Sequence, residues 1–370
     1  MPLPSLCLPR RWLALAGLSL LACTPRSQPD ATPPGSSPRI EDDEQLPEKP
    51  PIERSAELMA GGQTAAALAL LDEALTKQPR DPELHYARGV ALEQLGRPQE
   101  AVGAWEAAVQ LKPDFYPAHN GIGAIQLDTG QPEPAARSFE AAIAARPDFA
   151  DAHYNLARAC LALGQGERAR SELEAANRLA PEDADALALL TEVYRAAGLT
   201  DQALATAKVA VQRAPEDPEI HRTLAHLLME KDLHAKALAE FTAALQRKPD
   251  DVDAKLGLAR ALIKLDRPEE ALVPLADLAA RVPDQAIVWS EWGAALAKLG
   301  RLGGPEGAVS KLDRALQLKP DLASAHVRKI GALAGNKQCK PARDALKAFT
   351  ARKPKPEALT QAQAAAAGCK

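Results

Sequence analysis

Prolines stand at 79, 113, 147, 181, 215, 249 and 283, each 34 residues after the last. Pro320 follows 37 residues later and Pro354 another 34. A second register keeps step with the first: Ala67, Ala101, Ala135, Ala169, Ala203, Ala237, Ala271, Ala308 and Ala342. A chain that repeats on this scale does not build one central core; each unit buries its apolar face against the next. The single longer unit contains RLGGP at 301–305, which places its three extra residues in the turn between two helices.

Each unit carries two amphipathic helical stretches. In the fourth, residues 151–163 set Leu156, Ala159, Cys160 and Leu163 at helical spacing. Gly164 and Gly166 interrupt it, and residues 167–179 resume with Ala169, Leu173 and Ala176 on one face. Pro181 closes the unit, because proline has no N–H with which to continue a helix. The acidic residues that follow, as in PED or PDD, suit the capping and dipole of the next helix. Aromatic residues make up only 4% of the chain, so packing rests on alanine and leucine, which favour helix over sheet. Net charge is −4, or −6 once a leader carrying Arg10 and Arg11 is removed, and no lysine/arginine run stands out, which argues against a nucleic-acid partner.

A 34-residue helix–turn–helix period resembles the tetratricopeptide repeat (TPR). The signature positions are Gly89, Gly96, Ala101, Trp105, Ala108 and Pro113 in the second unit, and Leu156, Gly164, Ala169, Ala176 and Pro181 in the fourth. The resemblance covers residues 48–355 and implies an all-α fold, a right-handed α-solenoid of nine units. The units fall near 48–81, 82–115, 116–149, 150–183, 184–217, 218–251, 252–285, 286–322 and 323–355, and a capping helix over 356–370 closes the array. Ser55 replaces the first-helix glycine in the first unit, as suits a terminal cap. The seventh has Leu278 where alanine is usual, and Pro274 inside its second helix is expected to bend or loosen it.

Histidine, tyrosine and cysteine lie close together in the stretch DAHYNLARACLALG at 151–164. The register explains the histidine: His85, His119, His153, His221 and His326 all take the fourth position of their units, where the eighth has Trp289. In similar repeats that slot holds an aromatic packed between units. Successive units lie about 10 Å apart, too far for two such rings to share a metal with bonds of about 2 Å. Cys160 reads as a buried thiol. By the same resemblance, positions five, nine and twelve of the first helix line a concave groove. They include Glu93 and Glu192 and, as the candidate partner-binding set, Tyr86, Asn120, Tyr154, Arg158, Arg195, Arg222, His226 and Arg260. An arginine-rich strip of this kind can clamp a peptide carboxylate or an acidic segment; a solvated face with scattered charges gives the same list. Acidic residues at position two (Glu83, Asp151, Asp185, Glu219, Asp253) are assigned to helix dipoles rather than to ligand binding.

Before the repeats, the chain reads MPLPSLCLPRR, then the apolar WLALAGLSLLA, then Cys23. Such an apolar run is short for a membrane span and reads as a signal peptide over residues 1–22. Leu20, Leu21 and Ala22 before Cys23 resemble the bacterial lipobox, which implies cleavage there and lipidation of Cys23. An ordinary signal peptide with a chance cysteine is the alternative. Thr24 in place of aspartate implies the outer membrane, on its periplasmic face. Residues 23–47, rich in proline, serine and acid, form a disordered tether that reaches on the order of 80 Å when extended. Cys7 leaves with the leader. Cys339 and Cys369 remain, either bonded so as to fasten the capping helix or as two free thiols.

The chain has no HExxH, CxxC, GxSxG, Walker A or strand-borne GxGxxG pattern. The expectation is therefore a non-enzymatic scaffold that binds a protein partner in its groove, with no cofactor, metal or small-molecule substrate. The resemblance to TPR lipoproteins implies work in secretin or pilus assembly, gliding motility or polysaccharide export. An enzyme or enzyme regulator acting on cell-wall or surface glycan, and a spacer that binds nothing, are the alternatives.

Overall fold

In a computed structural model the described residues are 49–369. The signal peptide, Cys23 and the tether lie outside them. Among the described residues there are nineteen helices and no strand. The first four units pair α1 (Pro51–Ala60) with α2 (Thr64–Lys77), α3 (Pro82–Gln94) with α4 (Pro98–Leu111), α5 (Tyr116–Asp128) with α6 (Pro132–Ala145), and α7 (Ala150–Ala162) with α8 (Gly166–Leu179). The next three pair α9 (Ala184–Ala196) with α10 (Thr200–Arg213), α11 (Pro218–Glu230) with α12 (His234–Arg247), and α13 (Val252–Lys264) with α14 (Pro268–Arg281). The last two pair α15 (Ala286–Lys298) with α16 (Ala308–Leu318), and α17 (Ala323–Gly335) with α18 (Cys339–Ala351). A terminal α19 (Pro356–Ala365) packs on α17 and α18. No helix is long and apolar enough to cross a membrane, among the described residues.

Every helix packs on the one before it in sequence, which makes the array a continuous stack. First helices of neighbouring units also touch directly: α1 with α3, α5 with α7, α11 with α13, α13 with α15 and α15 with α17. No comparable contact joins two second helices among the described residues. The stack therefore curves with the first helices on its inner side.

The alanine register is the hinge of this packing. All nine register alanines are 0% exposed, because a methyl is the most that fits where paired helices meet. Larger side chains fill the gaps between them. Trp105 is buried against two glycines, Gly89 of its own unit and Gly121 of the next, where an added Cβ would collide with the indole. Phe241 seats on Gly257 and Phe139 on Gly123 in the same way. Ser55 is fully buried and donates to the carbonyl of Ile52 at 2.7 Å. Pro274 does not break α14, which runs continuously through it, with Leu278 buried beyond.

Each intra-unit turn places a residue in the left-handed region just after its first helix, and the longer eighth turn adds Gly304. Of the residues just after a first helix, six are glycines: Gly62, Gly96, Gly130, Gly164, Gly198 and Gly300. In the sixth, seventh and ninth units the same slot holds Asp232 (φ 56°), Asp266 (φ 58°) and Lys337 (φ 59°). A side chain there costs energy, least for aspartate. Changing all three to glycine is expected to stabilise the fold by about 0.5–1 kcal/mol per site, with Lys337 giving most. Urea denaturation of the triple variant measures it, and an unchanged midpoint would show that the turns carry no such strain.

Cys339 and Cys369 are joined in a disulfide, with their Cα atoms 5.0 Å apart and a separation of 30 positions in sequence. Arg343 donates to the Cys369 carbonyl at 3.2 Å, beside the bond. Closing a loop of this size removes about 3–4 kcal/mol of chain entropy from the opened cap. Reduction is thus expected to speed amide exchange in α19 by about 100- to 1,000-fold and to leave the first seven units unchanged.

Where the fourth-position slot holds a ring, it plays one shared role. The Nε2 atoms of His85, His119, His153, His221 and His326 lie 2.9, 2.8, 3.1, 2.9 and 2.9 Å from the carbonyls of Pro79, Pro113, Pro147, Pro215 and Pro320. A carbonyl can only accept, so Nε2 carries the proton and donates. Trp289 makes the same bond from Nε1 to Pro283, at 2.8 Å. Each ring clasps the proline that ends the preceding unit to the helix that begins its own. His153 and His221 also present Nδ1 to Glu172 and Glu240, at 2.7 and 2.6 Å. Cys160 is fully buried, and burial pushes its thiol up.

Candidate functional site

The inner face is built by the first helices, whose positions five, nine and twelve recur every turn or so along one side. Asp81, Asp183, Asp217 and Asp251 accept from first-turn amides and set where α3, α9, α11 and α13 begin. The inner side chains are thus fixed in register with the units.

Tyr86 is half-buried, 5.4 Å edge-on from Phe115 and 6.4 Å from Trp105 between ring centroids. Burial, with Glu93 nearby, pushes its phenol up to about 12. This is more a packed aromatic than a free hydrogen-bonding tip. Asn120 accepts from Asn155 at 3.1 Å, and Arg158 donates to Asn155 at 3.3 Å. Tyr154, half-buried, sits one residue before Asn155. Arg158 has its carboxylate neighbour, Asp128, at 3.8 Å. Arg195 bonds Glu192 of its own helix at 2.8 Å, with Glu230 of the next unit at 3.9 Å.

Farther along, the arginines are committed. Arg222 donates to Asp251 at 2.7 Å, and Asp251 is nearly inaccessible. His226 lies 2.9 Å from Asp253, and that hydrogen bond, with Arg222 and Arg260 behind it, holds the Asp253 carboxyl below its usual range. Arg260 donates to Glu291 at 3.0 Å, and Arg328 meets the other oxygen of Glu291 at 2.9 Å. Arg328 also donates to Ser290 at 2.8 Å.

The strip of arginines expected from the sequence is therefore two surfaces rather than one. Arg222 and Arg260 bridge units six to seven and seven to eight through buried carboxylates, so their charge is already answered. Arg158, joined through Asn155 to Asn120, has its carboxylate at 3.8 Å, and Arg195 in the next unit pairs within its own helix with half-buried Glu192. Asp253 stands in the first turn of α13, as a helix-dipole role requires, and also joins the inner-face network with His226 and Arg222. Asn155, Asp128, Asp251, Glu291 and Arg328 fall outside the set read from the sequence. The signal that finds most of them is a complementary residue about one period away along the chain.

Models of two families match the chain, each described as a tetratricopeptide repeat. One covers residues 54–117. The other covers 126–193, 167–227 and 227–299. Together they span more than half of the chain. The chain is a tetratricopeptide-repeat protein. A comparison with curated proteins returns no match. Among solved structures, pilF from Pseudomonas aeruginosa is 17% identical, with a TM-score of 0.51, covering 59% of this chain and 97% of that one. TTC0263 from Thermus thermophilus is 29% identical over 50% of this chain and 100% of its own, with a TM-score of 0.38. YrrB, described as a TPR protein with an unusual peptide-binding site, is 21% identical over 50% and 95%, with a TM-score of 0.44. For this TPR protein the likeness to pilF supports the helical repeat fold. TPR arrays are protein–protein interaction scaffolds and generally non-catalytic, which is the coarse function the fold carries here.

Proposed function

We propose that this scaffold is held by lipid on Cys23 at the periplasmic face of a bacterial outer membrane, and that it grips an acidic segment of a protein partner on the inner face of units three to five. The partner would belong to an envelope machine of the secretin or pilus, gliding or polysaccharide-export kind, with the tether setting its reach from the membrane. The observation that supports this reading is Arg158, an inner-face guanidinium with its nearest carboxylate at 3.8 Å and with Asn155 linking it to Asn120. An incoming carboxylate can take both of its N–H groups in a fork without displacing a buried anion. Lipid anchoring would raise the local concentration of the groove for membrane-bound partners.

The test separates the two groups of arginines. Arg158→Gln with Arg195→Gln is expected to lower partner recovery about tenfold or more, without loss of thermal stability. Arg222→Gln with Arg260→Gln is expected to act through stability instead. Equal recovery from the first pair would remove the inner-face reading. Metabolic labelling with a fatty acid tests the anchor, and label retained in Cys23→Ala would overturn it.

A further inference from the structure

The eighth unit departs from the array in three ways at one place. It has the three-residue insertion, it replaces the slot histidine with Trp289, and it adds Trp292. The insertion is folded back on α16: Ala308 donates to Arg301 at 2.9 Å and Val309 to Leu302 at 3.1 Å. Gly303 and Gly304 follow, Gly304 at φ +81°, and a side chain on Gly303 would meet the Asn336 amide at 2.9 Å. The turn is thus pinned toward the ninth unit. Between it, α16 and Trp289 lies an open concavity of about 630 Å³, walled also by Arg314, Gln317 and Gln338. It sits on the second-helix side of the array, away from the inner face.

The indole of Trp289 is fixed from behind. Its N–H is tied to Pro283, and Trp292 stacks on it at 5.5 Å with 18° between planes. Lys311 lies 4.7 Å from the Trp292 ring centre and 5.9 Å from that of Trp289, and pairs with Glu306 at 2.6 Å, while Asp313 pairs with Lys329 at 2.6 Å. Those charges are answered. Arg314 is not: among the described residues its side chain meets only Gln317, at 3.5 Å, and no carboxylate. The concavity thus offers an ordered indole, two primary amides and one uncompensated guanidinium.

We infer that this concavity binds a sugar carrying a carboxylate. The C–H face of a pyranose ring is apolar and packs on an indole. Its hydroxyls both donate and accept, as glutamine amides do. Its carboxylate matches the Arg314 fork. The volume lies in the range of small-ligand sites. A bound acidic peptide would draw on a row of apolar anchor pockets or an open strand edge, and the wall here offers one indole and Val309 among mostly polar side chains. The inference stands apart from the inner-face reading.

Titration of the full chain with trigalacturonate, followed by tryptophan fluorescence and by indole N–H chemical shifts, tests it. Galactotriose is the neutral control and hexaglutamate the peptide control. Saturable shifts with trigalacturonate are expected, at least tenfold weaker in Arg314→Gln, an exposed site that leaves the fold intact. Trp289→Phe is expected to weaken binding while Arg158→Gln leaves it unchanged. No saturation with trigalacturonate, undiminished binding in Arg314→Gln, or equal affinity for galactotriose or hexaglutamate would overturn the assignment.

Discussion

Replacing Glu291 with alanine is expected to cost the C-terminal units about 3–5 kcal/mol. Glu291 is a buried carboxylate that takes Arg260 from one side and Arg328 from the other, and so ties units seven, eight and nine through one group. Without it, the guanidinium groups of Arg260 on α13 and Arg328 on α17 converge on α15 with no anion between them. Both arginines are partly exposed and recover some water, which sets the loss toward the lower end. Glu291→Gln keeps an acceptor for one arginine and should lose less. Urea denaturation gives the size, and amide exchange in α13, α15 and α17 gives the place. A loss under about 1 kcal/mol would show the cluster to be as dispensable as an ordinary surface pair.

Trp105→Ala has the largest expected effect in the N-terminal half, about 3–5 kcal/mol. The indole fills the space that Gly89 and Gly121 leave open and donates to the Tyr86 carbonyl at 3.2 Å. Its removal leaves a cavity between two units and costs the Tyr86 carbonyl its second hydrogen bond, beyond the one within α3. Tyr86 then gains water, so its phenol, now near 12, should titrate closer to the ordinary tyrosine value. Ultraviolet titration of the variant reads this separately from the stability. A phenol that stays near 12 would mean that Phe115 and the α3 backbone, not the indole, keep Tyr86 dry.

The repeat frame was legible because it rests on residues with few physical options. Proline at a fixed step ends helices, and alanine at a fixed step admits close helix contact; all nine register alanines are buried. The histidine slot was legible as a position but not as a bond. The link from Nε2 to a proline carbonyl spans six residues across a turn, and only the folded backbone brings the two together. Pro274, expected to bend or loosen its helix, sits inside α14, which runs unbroken over Pro268–Arg281. The inner face was legible as a list of residues and not as a circuit. Arg222 and Asp251 are 29 residues apart, Arg260 and Glu291 31, and Asn120 and Asn155 35. Such pairs are visible only when side chains one unit apart are considered together. Of the four arginines on that list, Arg222 and Arg260 bond buried carboxylates, Arg195 pairs with Glu192 of its own helix, and Arg158 keeps its carboxylate at 3.8 Å.

Site-specific photocrosslinking in cells tests the inner-face reading most directly. A photoreactive residue replaces Leu161, one turn beyond Arg158 on α7, and, as the opposite-face control, Val273, which stands 75% exposed on α14. The account predicts a discrete adduct from position 161 that is lost when Arg158 and Arg195 are both changed to glutamine, and no discrete adduct from position 273. An adduct at position 273 of equal strength, or one at 161 that survives both arginine changes, would contradict it.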